Sequence, residues 1–117
     1  MKRQAINPAN DWGAGFDMNQ AEVISDFSEL IKFSGQTSLI ADSTADLGVS
    51  VKHPNDQRNQ MEFILHSIDS LLKQAGMTRK NIIHIIFYTT DMEGFLGNYD
   101  VYSNWIKEAN IRPTQSA

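Results

Sequence analysis

Two neighbouring patterns of different period limit what this chain can fold into. Met61, Ile64, Leu65, Ile68, Leu71, Leu72 and Ala75 recur at offsets of three and four, which gathers them on one face of a helix with 3.6 residues per turn. Asn55 or Asp56 can cap its start and Gly76 can close its end, because a short side-chain oxygen satisfies first-turn amides and glycine tolerates the left-handed backbone that ends many helices. Residues 82–88 then form a β-branched and aromatic run interrupted only by His84. Such a run predicts a strand covered on both faces and central in its sheet.

Thr90-Asp91-Met92-Glu93 fits a capping box, with the threonine oxygen accepting an amide and the glutamate returning a bond. A second helix is expected to start there. Phe95, Tyr99, Tyr102, Ile106 and Ala109 give it an apolar stripe, while Gly94 and Gly97 lower its intrinsic helicity. Upstream, Ala21 to Ser25 and Leu30 to Gly35 read as strands of a hairpin joined through Asp26-Phe27-Ser28-Glu29. The stretch from Gln36 to Pro54 reads as loop with a short strand near Gly48 to Val51, and a last strand starts near Arg112. The order ββ(β)αβα plus a C-terminal strand is an α+β layout with both helices on one sheet face. At 117 residues, it is expected to be a single domain spanning 1–117.

Composition removes several classes of function. With a formal charge of −4 and no Lys/Arg cluster, the chain lacks the electrostatic attraction that drives nonspecific nucleic-acid binding. No cysteine is present, so disulfides, thiol nucleophiles and thiolate metal sites are out. The basic start Met1-Lys2-Arg3 has no apolar segment after it, and no stretch reaches the roughly 18 apolar residues of a membrane span. A cytoplasmic protein without membrane or nucleic-acid partners is the expectation.

The polar residues point to no familiar catalytic set. His84 inside a strand is read as a hydrogen-bonded packing residue. His53 and His66 lack a neighbouring ligand pattern, so no metal and no cofactor is expected. The carboxylates Glu22, Asp26, Glu29, Asp91 and Glu93 are scattered without a glycosidase-type pair, and Ser34, Ser67 and Ser103 have no visible base. The stripe of Phe95, Tyr99, Tyr102 and Trp105 is read mainly as core, with Tyr99 the member closest to a pocket role.

Five short segments follow one another in a specific series: Ala5-Ile6-Asn7-Pro8, Asn19-Gln20-Ala21, Phe33-Ser34-Gly35-Gln36, Tyr88-Thr89-Thr90-Asp91-Met92 and Arg112-Pro113-Thr114-Gln115-Ser116. Together they resemble the RidA/YjgF family. The resemblance implies a chorismate-mutase-like sheet backed by two helices, assembled as a homotrimer with a small-molecule pocket at each subunit interface. It also implies hydrolysis of enamines and imines to carbonyl compounds and ammonia.

The family's catalytic arginine, which clamps the substrate carboxylate, falls on Gln115. A glutamine offers a hydrogen bond but no charge, so carboxylate affinity is expected to drop by at least about 1.5–3 kcal/mol. The family's early tyrosine falls on Met18, and its second-helix asparagine falls on Tyr99, with Asn98 adjacent. Gly35 and Gln36 match the family turn whose backbone approaches ligand, and Tyr88 stands in place of a pocket phenylalanine. Thr114 could polarise a ligand alongside Gln115. Arg112 could replace the missing cation only through a kink at Pro113, and is read instead as a surface arginine leading into the strand.

Two functions stay open on these residues: a divergent hydrolase for an imine or enamine lacking the usual carboxylate, and a non-catalytic trimer that binds a neutral metabolite. The ribonuclease or translation-inhibitor activity of some relatives fits poorly with the acidic balance. The family also continues beyond the arginine strand, so further residues after Ala117 are expected.

Overall fold

The computed structural model describes all 117 residues as an α+β arrangement of three two-stranded pairings against one helical layer. Strand β1 (Lys2–Ile6) pairs antiparallel with β2 (Ala21–Ser25), and β3 (Leu39–Ala41) with β4 (Val49–Val51). Helix α1 (Gln57–Gln74) leads to β5 (His84–Ile86), which pairs parallel with β6 (Thr114–Ser116) at the far end of the chain. Between them lie α2 (Met92–Gly97) and α3 (Asp100–Lys107).

Helix α1 follows the apolar period and its capping chemistry. Asp56 accepts the Asn59 amide at 3.1 Å, and Gly76, at φ 71°, takes the left-handed turn while Met77 N–H returns to the Leu72 carbonyl at 2.9 Å. Leu65 of α1 packs with Val101, Tyr102, Trp105 and Ile106 of α3, and Ile82, Ile85 and Phe87 flank that cluster from the β5 side.

The second helical stretch starts one residue later than expected. Asp91, not Thr90, is the cap, and its carboxylate accepts the Gly94 amide at 2.9 Å, so Glu93 has no capping role. Thr89 Oγ1 in turn accepts the Asp91 amide at 3.0 Å. Gly94 is required here: a Cβ would lie 2.3 Å from Asp91 Oδ2 and 2.7 Å from Gln57 Oε1. The stretch then breaks at Asn98, whose side chain bonds the Gly94 carbonyl (3.0 Å) and Gln57 Oε1 (3.2 Å).

The expected hairpin is not formed. Ala21–Ser25 pairs with the N-terminal residues, Lys2 opposite Ser25 and Ile6 opposite Ala21, while residues 30–35 form no strand. The N-terminal segment carries a partner for Glu22 that the downstream one lacks. Arg3 makes a two-pronged contact with Glu22 at 2.8 and 3.0 Å and also donates to the Lys80 carbonyl at 2.8 Å, which ties the ribbon to the turn before β5. The strand near Gly48 exists, as β4.

β5 has one strand neighbour and helices on one side only, so it is not the doubly covered strand its composition suggests. Ile85 and Phe87 face the helices; Ile86 is 50% exposed and Tyr88 90% exposed. Alternation along an extended strand accounts for the difference. Of the helices, none is long and apolar enough to cross a membrane.

Candidate functional site

Three segments converge on residue 115. β6 carries Gln115, the break between α2 and α3 carries Tyr99, and a 3-10 turn over Trp12–Phe16 presents the Phe16 carbonyl. Gln115 Nε2 donates to that carbonyl at 3.0 Å and to the Tyr99 hydroxyl at 2.7 Å, and the Tyr99 hydroxyl donates to the same carbonyl. A carbonyl can only accept, so the amide nitrogen must face Phe16, and the orientation of Gln115 is fixed. Its Oε1 is left 3.2 Å from the Tyr99 oxygen.

The surroundings are aromatic and short of positive charge. The Tyr99 ring meets Phe16 and Phe95 edge-on, each at 5.7 Å between centroids, and Phe87 at 6.5 Å. Burial pushes the Tyr99 hydroxyl above its ordinary pKa and the charge of Asp17 adds to this, against the hydrogen bond from Gln115. Tyr99 is therefore a neutral donor at physiological pH. Asp17, held in the left-handed region at φ 55°, accepts from Ser103 Oγ and lies 3.8 Å from Lys107 Nζ. No cation takes the place of the arginine at residue 115, and every hydrogen-bond partner of Gln115 is neutral.

Arg112 is not a surface residue leading into the strand. Its guanidinium turns inward, donating to the Met18 carbonyl at 2.7 Å and to Asp11 at 3.2 Å, so it braces the 11–18 segment without reaching Gln115. Met18 is buried, packed against Gly13. Thr114 projects to the other face of β6. Its hydroxyl donates to the Ile83 carbonyl at 3.1 Å and contacts His84 Nδ1 at 2.7 Å. With the one hydroxyl proton used, His84 Nδ1 must be the protonated nitrogen.

Gln115 and Tyr99 are thus brought together, and Met18 and Arg112 lie along the segment that contacts them. Tyr88 points to the open face, Gly35 is exposed, and the Gln36 amide makes a local bond to the Ser34 carbonyl at 3.2 Å. Sequence reasoning missed the Phe16 carbonyl and Asp17. The first is a backbone group without any residue signature, and the second depends on a positive φ that only the fold reveals.

Comparisons with known proteins agree with this geometry. The model of the endoribonuclease L-PSP family matches residues 17–117. A RutC family protein of Aquifex aeolicus (strain VF5) is 28% identical over 58 residues, half of this chain and 46% of that protein, so the chain spans less than half the length of this curated relative in the match. A Yersinia pestis protein of unknown function from the conserved Rid family shares the fold at a TM-score of 0.58 and 16% identity, over all of this chain and 84% of that one. A YjgF/YER057c/UK114 family member from Mycobacterium tuberculosis matches at a TM-score of 0.48 and 18% identity, over 98% of this chain and 81% of that one. With the family model covering all but the first sixteen residues, and with the fold of a Rid protein, the chain belongs to the endoribonuclease L-PSP family, the RidA/YjgF family that its five segments resemble.

Proposed function

We propose that this protein is a divergent Rid-family member that binds a small neutral or weakly polar metabolite beside Gln115 and Tyr99, in pockets between the subunits of a homotrimer. The observation that carries this reading is the engagement of Gln115: its amide is turned onto the Phe16 carbonyl and the Tyr99 hydroxyl. The charge that Tyr99 senses is the carboxylate of Asp17. An anionic 2-iminoacid meets no guanidinium there and a like charge nearby, so the family-standard reaction is disfavoured. Hydrolysis of an imine without a carboxylate needs only a polarising donor and a placed water, and the neutral Tyr99 hydroxyl supports that finer assignment.

Assembly is supported by what the single chain leaves uncovered. Ile86, Tyr88, Val23, Leu39, Val49 and Val51 are exposed on the β-pairs, and apolar exposure on that scale is characteristic of interaction surfaces. The radius of gyration is 15.7 Å, against about 13 Å for a compact domain of this length. Light scattering on the purified chain should give three chain masses, and a monomer at all concentrations overturns the assembly. For the site, 2-iminoacids generated by an amino-acid oxidase should decay no faster with this protein than without it. Gln115→Arg should raise affinity for small carboxylates at residue 115. Rapid decay with the unaltered protein defeats the reading of Gln115.

A further inference from the structure

Asn7 and Asn19 belong to two of the five family-like segments, yet neither contributes to the cluster around Gln115. The Gln20 amide donates to Asn7 Oδ1 at 2.7 Å. A peptide N–H only donates, so Asn7 must present its Nδ2 to Asn19, and it donates to Asn19 Oδ1 at 2.9 Å. The orientation of Asn19 follows: its Oδ1 is occupied, and its Nδ2 carries two N–H groups with no protein partner. Asn19 is only 8% exposed, and its backbone N–H is pinned to the Arg112 carbonyl at 3.0 Å. A rigid, largely buried donor pair is held ready without an acceptor.

Asn19 lines an open cleft of about 400 Å³ between β1, residues 17–22 and the chain just after α3. That volume lies within the roughly 300–1,000 Å³ of small-molecule sites. Lys107 stands on the same wall with Nζ 3.8 Å from Asp17, beyond hydrogen-bonding distance. Glu22 is not free to accept from a ligand, because both its oxygens take Arg3. Asp17 has given Oδ2 to Ser103 and keeps one oxygen on the wall. Unused donors dominate, while two carboxylates limit how much negative charge a ligand can bring.

We propose that this cleft binds a small monocarboxylate, its oxygens taken by Asn19 Nδ2 and Lys107 Nζ. A planar carboxylate matches the paired donors. A phosphate dianion meets Asp17 and Glu22, and an uncharged amide gains nothing from Lys107. The site is separate from Gln115 and does not depend on the reading of that residue.

Titration of the ¹⁵N-labelled protein with acetate, acetamide and inorganic phosphate tests it through the Asn19 side-chain amide signals. Acetate should shift them saturably, with acetamide and phosphate at least about tenfold weaker. Asn19→Asp, isosteric but unable to donate, should abolish the response read at neighbouring backbone amides. Lys107→Gln should weaken it several-fold, and it carries the test if the first variant does not fold. Gln115→Ala should leave it unchanged. The site is refuted by the absence of saturation at Asn19, by equal binding of acetamide or phosphate, by wild-type affinity in a folded Asn19→Asp variant, or by loss of binding in Gln115→Ala.

Discussion

The two faces of the β5–β6 pair use similar residues to opposite ends. On the inner face, Ile85 and Phe87 lie against a cluster in which Tyr102 and Ile106 are fully buried. On the outer face, Ile86 and Tyr88 of the same strand are left to solvent. The residue types do not differ, so hydrophobicity alone did not decide which are core; the number of layers did. A strand rich on both faces but packed by helices on one leaves the other for something outside the chain.

The largest test of that difference is truncation on each face. Ile106→Ala should cost about 2–5 kcal/mol, since a fully buried aliphatic loses both its transfer energy and its packing. Ile86→Ala should cost well under half as much in the dissociated chain. Urea unfolding measured at low protein concentration compares the two. Equal losses would show that the outer face is covered within a single chain, and the contrast between faces would disappear.

The inner face was the more legible part of the sequence. The offsets of Met61 through Ala75 located α1 to within a few residues, and Asp56 and Gly76 took the end positions their chemistry favours. Local rules sufficed there because the helix is stabilised by its own neighbours. Pairing of β2 was not legible, because the choice between Lys2–Ile6 and residues 30–35 depends on Arg3 finding Glu22 and the Lys80 carbonyl, a contact across 77 positions. At the candidate site the change at residue 115 was visible at once. Its consequence was not, since Gln115 is held by a backbone carbonyl and by a tyrosine sixteen positions away.

A smaller effect is expected where the inner layer is closed by charge. Arg79 grips Asp69 with two bonds of 2.7 Å, bonds Glu108 at 2.8 Å, and sits 4.7 Å over the Trp105 ring, while Trp105 Nε1 donates to Asp69 at 3.0 Å. Burial pulls the Asp69 carboxyl upward, but the bonds from Arg79 and Trp105 outweigh it and hold the pKa below the ordinary value. A carboxyl depressed in the folded state contributes stability above its unfolded pKa and loses it as pH falls through the folded one. Asp69→Ala should therefore cost about 1–2 kcal/mol near neutral pH, discounted for partial exposure, and the gap to the unaltered protein should narrow below about pH 4. A pH-independent gap would assign the effect to packing.

The smallest effect should have the opposite sign, and it lies at the centre of the inner face. Tyr102 is fully buried, yet its hydroxyl finds no partner. Burial first, then the nearby Tyr99 and the charge of Asp17, drive its pKa far above the ordinary tyrosine value, so the group stays protonated and its proton goes unused. The ring still packs, with Phe87 at 4.9 Å and Trp105 at 6.1 Å between centroids. Those contacts are indifferent to the oxygen. Tyr102→Phe keeps the ring and removes a polar group that lost its water without gaining a bond, an arrangement that costs about 1–3 kcal/mol where it occurs. The variant should unfold at a slightly higher urea concentration with an unchanged slope. A loss of stability would mean that the hydroxyl is bonded after all, through a water sealed beside it or through a neighbouring subunit. In the second case the loss should appear only in the assembled protein, and the core drawn here from one chain would extend across the interface.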